Sequence, residues 1–446
     1  MKRLFLSIAL LGTFVFQADA QRISGTWHGE MQLNSLKLNL VLHLDGDSVC
    51  TVDSPDQGAK GIAGTVKELS AEKVDVQFPM LMAAYTAELK GGKLIGTFKQ
   101  RGFTVPLTLE PGDLVRQRPQ TPKPPFPYET HEVKIAVPSP YGGETERGYT
   151  LAGTLTLPPS FGEGTGASLC LLMVTGSGLQ DRDETLFDHK PFAVIADYLA
   201  RHGIATLRYD DRGFGQSTGD PSNCTTADFA EDAAACIAFL RSTPLLRGGN
   251  KGRLKVGILG HSEGGSIAFM LGAKSLPTRD DGQGKPFVDC IVALAAPGIK
   301  GDTLLVEQTN ALLRLNGQPA NMTLKRLRLT MAMQPTNPWY EYFVEYDPSA
   351  DIAATRCPVL ALNGSLDCQV LPKSNLAAIR SLLRLSEWSA TSPYGRETEG
   401  GFYKEYPGLN HLFQHAQTGA ATEYGNIEET ISEEVLRDIV AWLQNL

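Results

Sequence analysis

The sequence lacks the signatures of several chemistries. It has no HExxH and no zinc-spaced Cys/His cluster, so no metal is implied, and no organic cofactor is called for. The phosphate-cradling GxxxxGK(S/T) is missing as well. Seven cysteines (Cys50, Cys170, Cys224, Cys236, Cys290, Cys357 and Cys368) contain no CxxC, and their odd number leaves at least one unpaired within the chain. Five lie in apolar or strand-like runs, where cysteine acts as a small hydrophobe. Beyond the first twenty residues no run is apolar enough to span a bilayer, and there are no repeats or low-complexity tracts. Positive charge is in deficit, with 41 Lys+Arg against 49 Asp+Glu. That balance disfavours nucleic acid and anionic membrane surfaces as partners.

The N-terminus is a distinct segment. Lys2 and Arg3 precede the apolar run Leu4 to Phe16, followed by the small-x-small site Ala18-Asp19-Ala20. This is the pattern of an export signal over residues 1–20, with cleavage expected before Gln21 and the mature chain expected in the periplasm or outside the cell. Losing Lys2, Arg3 and Asp19 moves the net charge from −8 to −9.

Residues 21–115 read as about eight short alternating strands separated by Gly-Gly and Asp-Gly turns, an antiparallel β domain with no catalytic constellation. Residues 116–129 are proline-rich and predict a semi-rigid extended linker. From 130 to 446 a hairpin ("EVKIAV", "YTLAGTLTLP") leads into apolar strands alternating with helices, the pattern of a mostly parallel sheet covered on both faces. A helical, Leu- and Met-rich insertion over 299–346 interrupts it.

Two GxSxG matches occur, around Ser217 and Ser262. A nucleophile raised above a parallel sheet needs a strand directly before it and a helix directly after, with flanking glycines to relieve crowding. Ser262 has the strand Lys255 to Leu259 and a helix from Gly265, whereas Ser217 lies in "RGFGQSTGDPSNC" and reads as a polar turn. A serine hydroxyl needs a base. In the order serine, acid, histidine, Asp367 follows the strand Val359 to Leu362, and His411 follows "FYKEYP". His415 is a rival base better read as a surface residue. His261 is expected to point away and pack, and Asp351 reads as a loop acid. His28, His43 and His131 read as ordinary strand or loop histidines.

Oxyanion donors would be the N–H groups of Glu263 and Ser177, with Gly176 and Gly178 letting backbone approach a ligand. Asp181-Arg182-Asp183-Glu184 reads as an ion-paired loop with Arg212 as a candidate partner. Met331, Met333, Leu312, Leu313 and Leu315 are candidates for an acyl pocket, though apolar residues at helical spacing also serve as a helix pair's own core.

Together "TGSGLQDRDE", "YDDRGFGQS", "GHSEGG", "NGSLDCQV" and "PGLNHLF" resemble the bacterial α/β-hydrolase serine esterases over roughly residues 130 to 446. The resemblance implies a roughly eight-stranded, mostly parallel sheet with helices on both faces, a helical cap, and hydrolysis of small-molecule carboxylic esters. Ser262 would be the nucleophile, Asp367 the acid and His411 the base. Leu179 stands where members often carry proline, a departure expected to loosen the oxyanion loop; Ser365 replaces a commonly charged residue. A serine peptidase of the same fold is the nearest alternative, because Glu263 or the Asp181 to Glu184 run could recognise an amine. A catalytically dead binding protein is the more distant one. Produced with its leader intact in a host that processes such signals, the protein is expected to leave the cytoplasm with Gln21 at its N-terminus. N-terminal sequencing checks this, and a secreted or cytoplasmic product still beginning at Met1 contradicts it.

Overall fold

The computed structural model describes residues 23–33, 36–45, 49–57, 59–138, 148–159, 161–162, 168–246, 254–276, 285–333, 336–389 and 401–446. The leader expected over 1–20 lies outside them. The chain divides into two units, Met1–Val115 and Arg116–Leu446, each described by itself.

The first unit is a closed antiparallel barrel: β1 (Gly25–Leu33), β2 (Leu36–Leu44), β3 (Val49–Ser54), β4 (Ala59–Leu69), β5 (Lys73–Phe78), β6 (Ala83–Lys90), β7 (Lys93–Gln100) and β8 (Phe103–Pro111). Each strand pairs with the next, and Trp27 opposite Pro111 closes the ring between β1 and β8. Alternation sends every second side chain inward, so Leu42, Leu44, Val74, Val76, Leu94, Leu107 and Leu109 form one core. Tyr85, also inside, donates its hydroxyl to the carbonyls of Leu94 (3.0 Å) and Leu107 (3.2 Å), which removes the cost of a buried polar group. Gly91 and Gly92, with φ of 58° and 78°, make the tight β6–β7 turn that the Gly-Gly pair predicts.

In the second unit β9 (Glu129–Val137) and β10 (Tyr149–Leu157) form the expected hairpin. Next come β11 (Leu169–Val174), α1 (Pro191–Arg201), β12 (Ala205–Tyr209), α2 (Thr226–Ser242), β13 (Lys255–His261) and α3 (Glu263–Gly272). A two-residue pair, β14 (Ser275–Leu276) and β15 (Lys285–Pro286), stands apart from the main sheet. Then follow β16 (Ile291–Leu294), α4 (Gly301–Leu315), α5 (Leu324–Met333), α6 (Pro338–Glu345), α7 (Ser349–Ala354) and β17 (Val359–Gly364). The chain ends with α8 (Asn375–Leu383), β18 (Ser386–Glu387), β19 (Gly401–Tyr406), α9 (Ala421–Tyr424) and α10 (Glu433–Gln444).

Among the described residues the main sheet has nine strands in the order β18-β19-β17-β16-β13-β11-β12-β10-β9, one more than expected because β18 is too short to read from sequence. All pairings are parallel except β9 with β10 and β10 with β12. Burial on both faces explains the unbroken apolar strands. Along β11, Cys170, Leu172 and Val174 pack with α2 and α3 residues such as Cys236 and Ile267. Leu171 and Met173 pack on the other face with Phe192 of α1 and Trp442 of α10. All seven cysteines are buried with free thiols.

The proline-rich segment is more than a linker. Arg118 donates to the carbonyls of Phe187 (2.8 Å), Gly425 (2.8 Å) and Ile427 (3.1 Å). Gln120 donates to the Ile431 carbonyl at 2.8 Å and accepts from the Thr430 amide at 2.6 Å. Residues 116–120 are thus a strap on the larger unit, which composition alone did not reveal.

Beyond β12, Asp210 accepts from Arg182 Nη2 at 2.8 Å and from the Gln216 amide at 2.9 Å. Arg212 is not held by the acidic run: its guanidinium binds Asp232 at 2.9 Å and lies over the Tyr149 ring. The Asp181 to Glu184 run instead pairs with Arg208 and Lys190 through Asp183, while its own Arg182 takes Asp210 and Glu132. Asp211 is buried, and burial pushes its carboxyl up to about 8, against amide and hydroxyl donation from Gln180 and Thr175. A carboxyl raised in the folded state favours folding below its unfolded value of 3.8 and loses that contribution as pH rises through about 8. Asp211→Asn cannot ionise and keeps both partners. Its melting temperature relative to wild type is expected to climb by several degrees between pH 5 and pH 9, measured by scanning calorimetry; a constant difference contradicts the sign.

Candidate active site

The site begins with a steric constraint. Between β13 and α3 the backbone folds so tightly that Ser262 sits at φ 54°, ψ −121°, a conformation costly for a non-glycine residue. Its neighbours make room: a Cβ at Gly260 would lie 2.2 Å from the Gly264 oxygen, and one at Gly264 would lie 2.1 Å from the Val174 oxygen. A 2.8 Å bond from the Ser262 amide to the Leu294 carbonyl ties the turn to β16. The turn lifts the Ser262 side chain into a cavity of about 420 Å³.

His411 lines the same cavity. Its Nδ1 lies 2.8 Å from Asp367 Oδ2, and both side chains are at most 5% exposed. Since a carboxylate accepts, Nδ1 carries the proton and Nε2 is left as the acceptor that a base needs. Asp367 comes from the loop after β17, where its Oδ1 accepts from the amides of Gln369 (2.8 Å) and Val370 (2.9 Å). His411 comes from the loop after β19, braced by Asn410, whose Oδ1 accepts from the Leu412 and Gln414 amides. His415 is exposed and paired with Glu429 at 2.8 Å, away from this group.

Gly176 and Ser177 also line the cavity, and a Cβ on Gly176 would stand 3.1 Å from Ser262 Cβ, so this loop runs directly against the elbow. Gly178, at φ 91°, lines an adjoining small pocket with Glu263 and Trp339 instead. The Gly176 amide donates to Glu184 (2.9 Å) and the Gln180 amide to Asp211 (2.8 Å), so the loop is anchored at both ends despite Leu179. Glu263 opens α3, where the first amides have no acceptor within the helix.

Several expectations need correction. Met331 and Met333 do not line the cavity: both belong to α5, and Met333 is 76% exposed. Leu312, Leu313 and Leu315 are likewise absent from the wall. The apolar wall comes from α4 and α6, with Leu304, Leu305, Trp339, Tyr340 and Phe343, because the helical insertion turns a different stripe inward. His261 does not point away. It is buried beside the His411 ring at 4.7 Å between centroids, with Nδ1 2.8 Å from Glu184 and Nε2 3.0 Å from the His411 carbonyl. The Glu263 carboxylate, read as a possible amine receptor, is occupied by Trp339 Nε1 at 2.9 Å and Thr226 Oγ1 at 2.6 Å.

Ser217 is a buried structural residue. Its hydroxyl donates to the Asp210 carbonyl at 2.7 Å and accepts from the Ala152 amide at 2.8 Å, stitching the turn to β10. Ser217→Ala leaves that amide unpaired, a cost of about 1–3 kcal/mol. A drop of several degrees in melting temperature with turnover largely kept is the expected result; loss of turnover in a fully folded variant contradicts it.

The chain matches the family model described as serine aminopeptidase, S33, over residues 189–367. It is 27% identical over 307 residues to esterase EstD of Thermotoga maritima, a match spanning 65% of this chain and 65% of that protein's length. Among solved structures it resembles the Pyrococcus furiosus esterase Pf2001 (TM-score 0.43, 14% identity, 75% of this chain and 98% of that one). Est1E of Butyrivibrio proteoclasticus, with ferulic acid bound, is similar at a TM-score of 0.40 and 16% identity, over 65% of this chain and 96% of that one. The parallel sheet, the strand-turn-helix around Ser262 and the match over residues 189–367 make Arg116–Leu446 a unit of the α/β-hydrolase fold.

Proposed function

We propose that the chain is a serine hydrolase that cleaves carboxylic esters through an acyl-enzyme. His411 Nε2 removes the Ser262 hydroxyl proton, and the serine oxygen attacks the ester carbonyl. The N–H groups of Glu263 and Ser177 receive the oxyanion. His411 then protonates the departing alcohol, and water activated by the same imidazole releases the acid. Asp367 holds the ring and stabilises its charged form. The observation that carries this is a buried Asp367–His411 pair, at 2.8 Å, whose histidine lines the same cavity as a serine on a strained elbow. The Leu304, Leu305, Trp339 and Phe343 wall favours an apolar or aromatic acyl group.

A peptidase is the second reading, supported by the family match over residues 189–367. Against it, Glu184 is the one carboxylate among the described residues lining the cavity, and it is already bonded to Gly176 and His261. The leader pattern of residues 1–20 supports an exported enzyme, periplasmic or extracellular.

A fluorophosphonate probe is expected to label wild type and not Ser262→Ala, and the variant should lose turnover of p-nitrophenyl esters by a factor on the order of 10⁶. A panel of free-amine peptide substrates run alongside separates the two readings: turnover of peptides alone rules out the esterase. An unlabelled wild type rules out both and leaves a binding protein.

A further inference from the structure

His261 is bonded to two groups that only accept. The Glu184 carboxylate faces Nδ1 at 2.8 Å, and the His411 main-chain carbonyl faces Nε2 at 3.0 Å. A histidine between two acceptors satisfies both only as the doubly protonated imidazolium. The surroundings support that state. Burial opposes the charge, but the Glu184 carboxylate outweighs it, with further help from the His411 carbonyl and Asp367, so the ring holds its proton more tightly than an ordinary histidine. The titratable groups facing it are Glu184, Asp367 and the imidazole of His411.

Glu184 is itself 1% exposed, and the same Oε1 that meets His261 also accepts the Gly176 amide at 2.9 Å. The carboxylate is delivered by a strained segment in which Glu184, Phe187 and Asp188 have φ of 54°, 52° and 64°. Strain of that kind persists only where surrounding bonds over-determine it. Those bonds include the Asp181 Oδ1 acceptor for the Asp183 and Thr185 amides at 3.0 Å.

We propose that Glu184 is a positioning residue that, through a charged His261, locks the Gly176–Ser177 loop to the loop carrying His411, fixing the oxyanion donors against the base. One unbroken chain of hydrogen bonds runs from the Gly176 amide through Glu184 and His261 to the His411 carbonyl, and His261 is the residue before Ser262 in the chain. The proposal rests on Ser262 and His411 being the reacting pair, and it adds a second acid–histidine pair whose proton does not move during turnover.

Glu184→Gln keeps the shape and an acceptor oxygen but removes the charge that holds the second proton on His261. At pH 8 the neutral ring can then donate to only one of its two acceptors, and it can meet the variant's side chain while holding the His411 carbonyl only if the new amide turns its nitrogen to Nδ1, which takes the acceptor away from the Gly176 amide. The expected result is a fall in kcat of about 10- to 100-fold with KM changed less than about threefold. That deficit relative to wild type should shrink as pH is lowered and His261 regains its proton. His261→Asn, which cannot reach both partners at any pH, should show a deficit of similar size that does not shrink. Proton–nitrogen NMR of histidine side chains at pH 8 should show one imidazolium in wild type that is lost in Glu184→Gln, a readout that a packing role would not move. The positioning role is overturned if His261 is neutral in wild type at pH 7, or if Glu184→Gln keeps wild-type kcat, or if its deficit is independent of pH. If wild type neither labels with fluorophosphonate nor turns over esters, the failure lies with the reacting pair, and the NMR measurement still decides the charge on His261.

Discussion

A serine at φ 54° can exist in this chain only because nothing larger than hydrogen projects from residues 260 and 264. Strand β13, helix α3 and the end of β11 meet there at distances that leave no space for a methyl group, and the ten residues of α3 are all buried. The strain at Ser262 is therefore supported by a large part of the core, and the loops around it are placed by reference to that fixed point. Asp367 and His411 extend from β17 and β19, and Gly176 from β11, so the proposed chemistry uses the carboxyl ends of four parallel strands that share one framework of hydrogen bonds.

Around the elbow, polar groups are buried in pairs rather than singly. Glu263 meets Trp339 and Thr226, Asp367 meets His411 and two amides, and Glu184 meets His261 and Gly176. Each pairing removes the penalty of an unsatisfied buried group and fixes a rotamer. The Trp339 bond also fastens α6 of the helical insertion to the first residue of α3, so the wall of the cavity and the elbow are held by one carboxylate.

Local signals made much of this legible. Gly-x-Ser-x-Gly between a strand and a helix separates Ser262 from Ser217, and chain order brings Asp367 and His411 to the same end of the sheet. What the sequence did not reveal depends on direction or on distant pairing. Periodicity marks α4, α5 and α6 as amphipathic but does not say which stripe meets the cavity, so it points to the α5 methionines and to Leu312, Leu313 and Leu315 of α4, whereas Leu304 and Leu305 of α4 and the aromatic residues of α6 form the wall. Glu184 acts on residues far from it in the chain, and a charged run offers no clue that its last member is buried. Proximity in sequence suggests the Asp181 to Glu184 run as the partner of Arg212, whereas folding delivers Asp232 from α2. Proline content signals extended backbone but not that Arg118 and Gln120 would find carbonyl partners three hundred residues onward.

The strap has a modular consequence. Arg118 holds the carbonyl of Phe187, a residue of the cavity wall, so the segment that composition marks as a spacer is part of the wall's support. The boundary between the two units falls at Val115/Arg116, so Arg118 and Gln120 lie on the hydrolase side of it. A cut at the start of β9 would remove Arg118 and Gln120, and with them the bonds to Phe187, Gly425, Ile427, Thr430 and Ile431. In terms of structure the strap belongs to the hydrolase unit, and the spacer that its prolines suggest is a brace for the cavity wall.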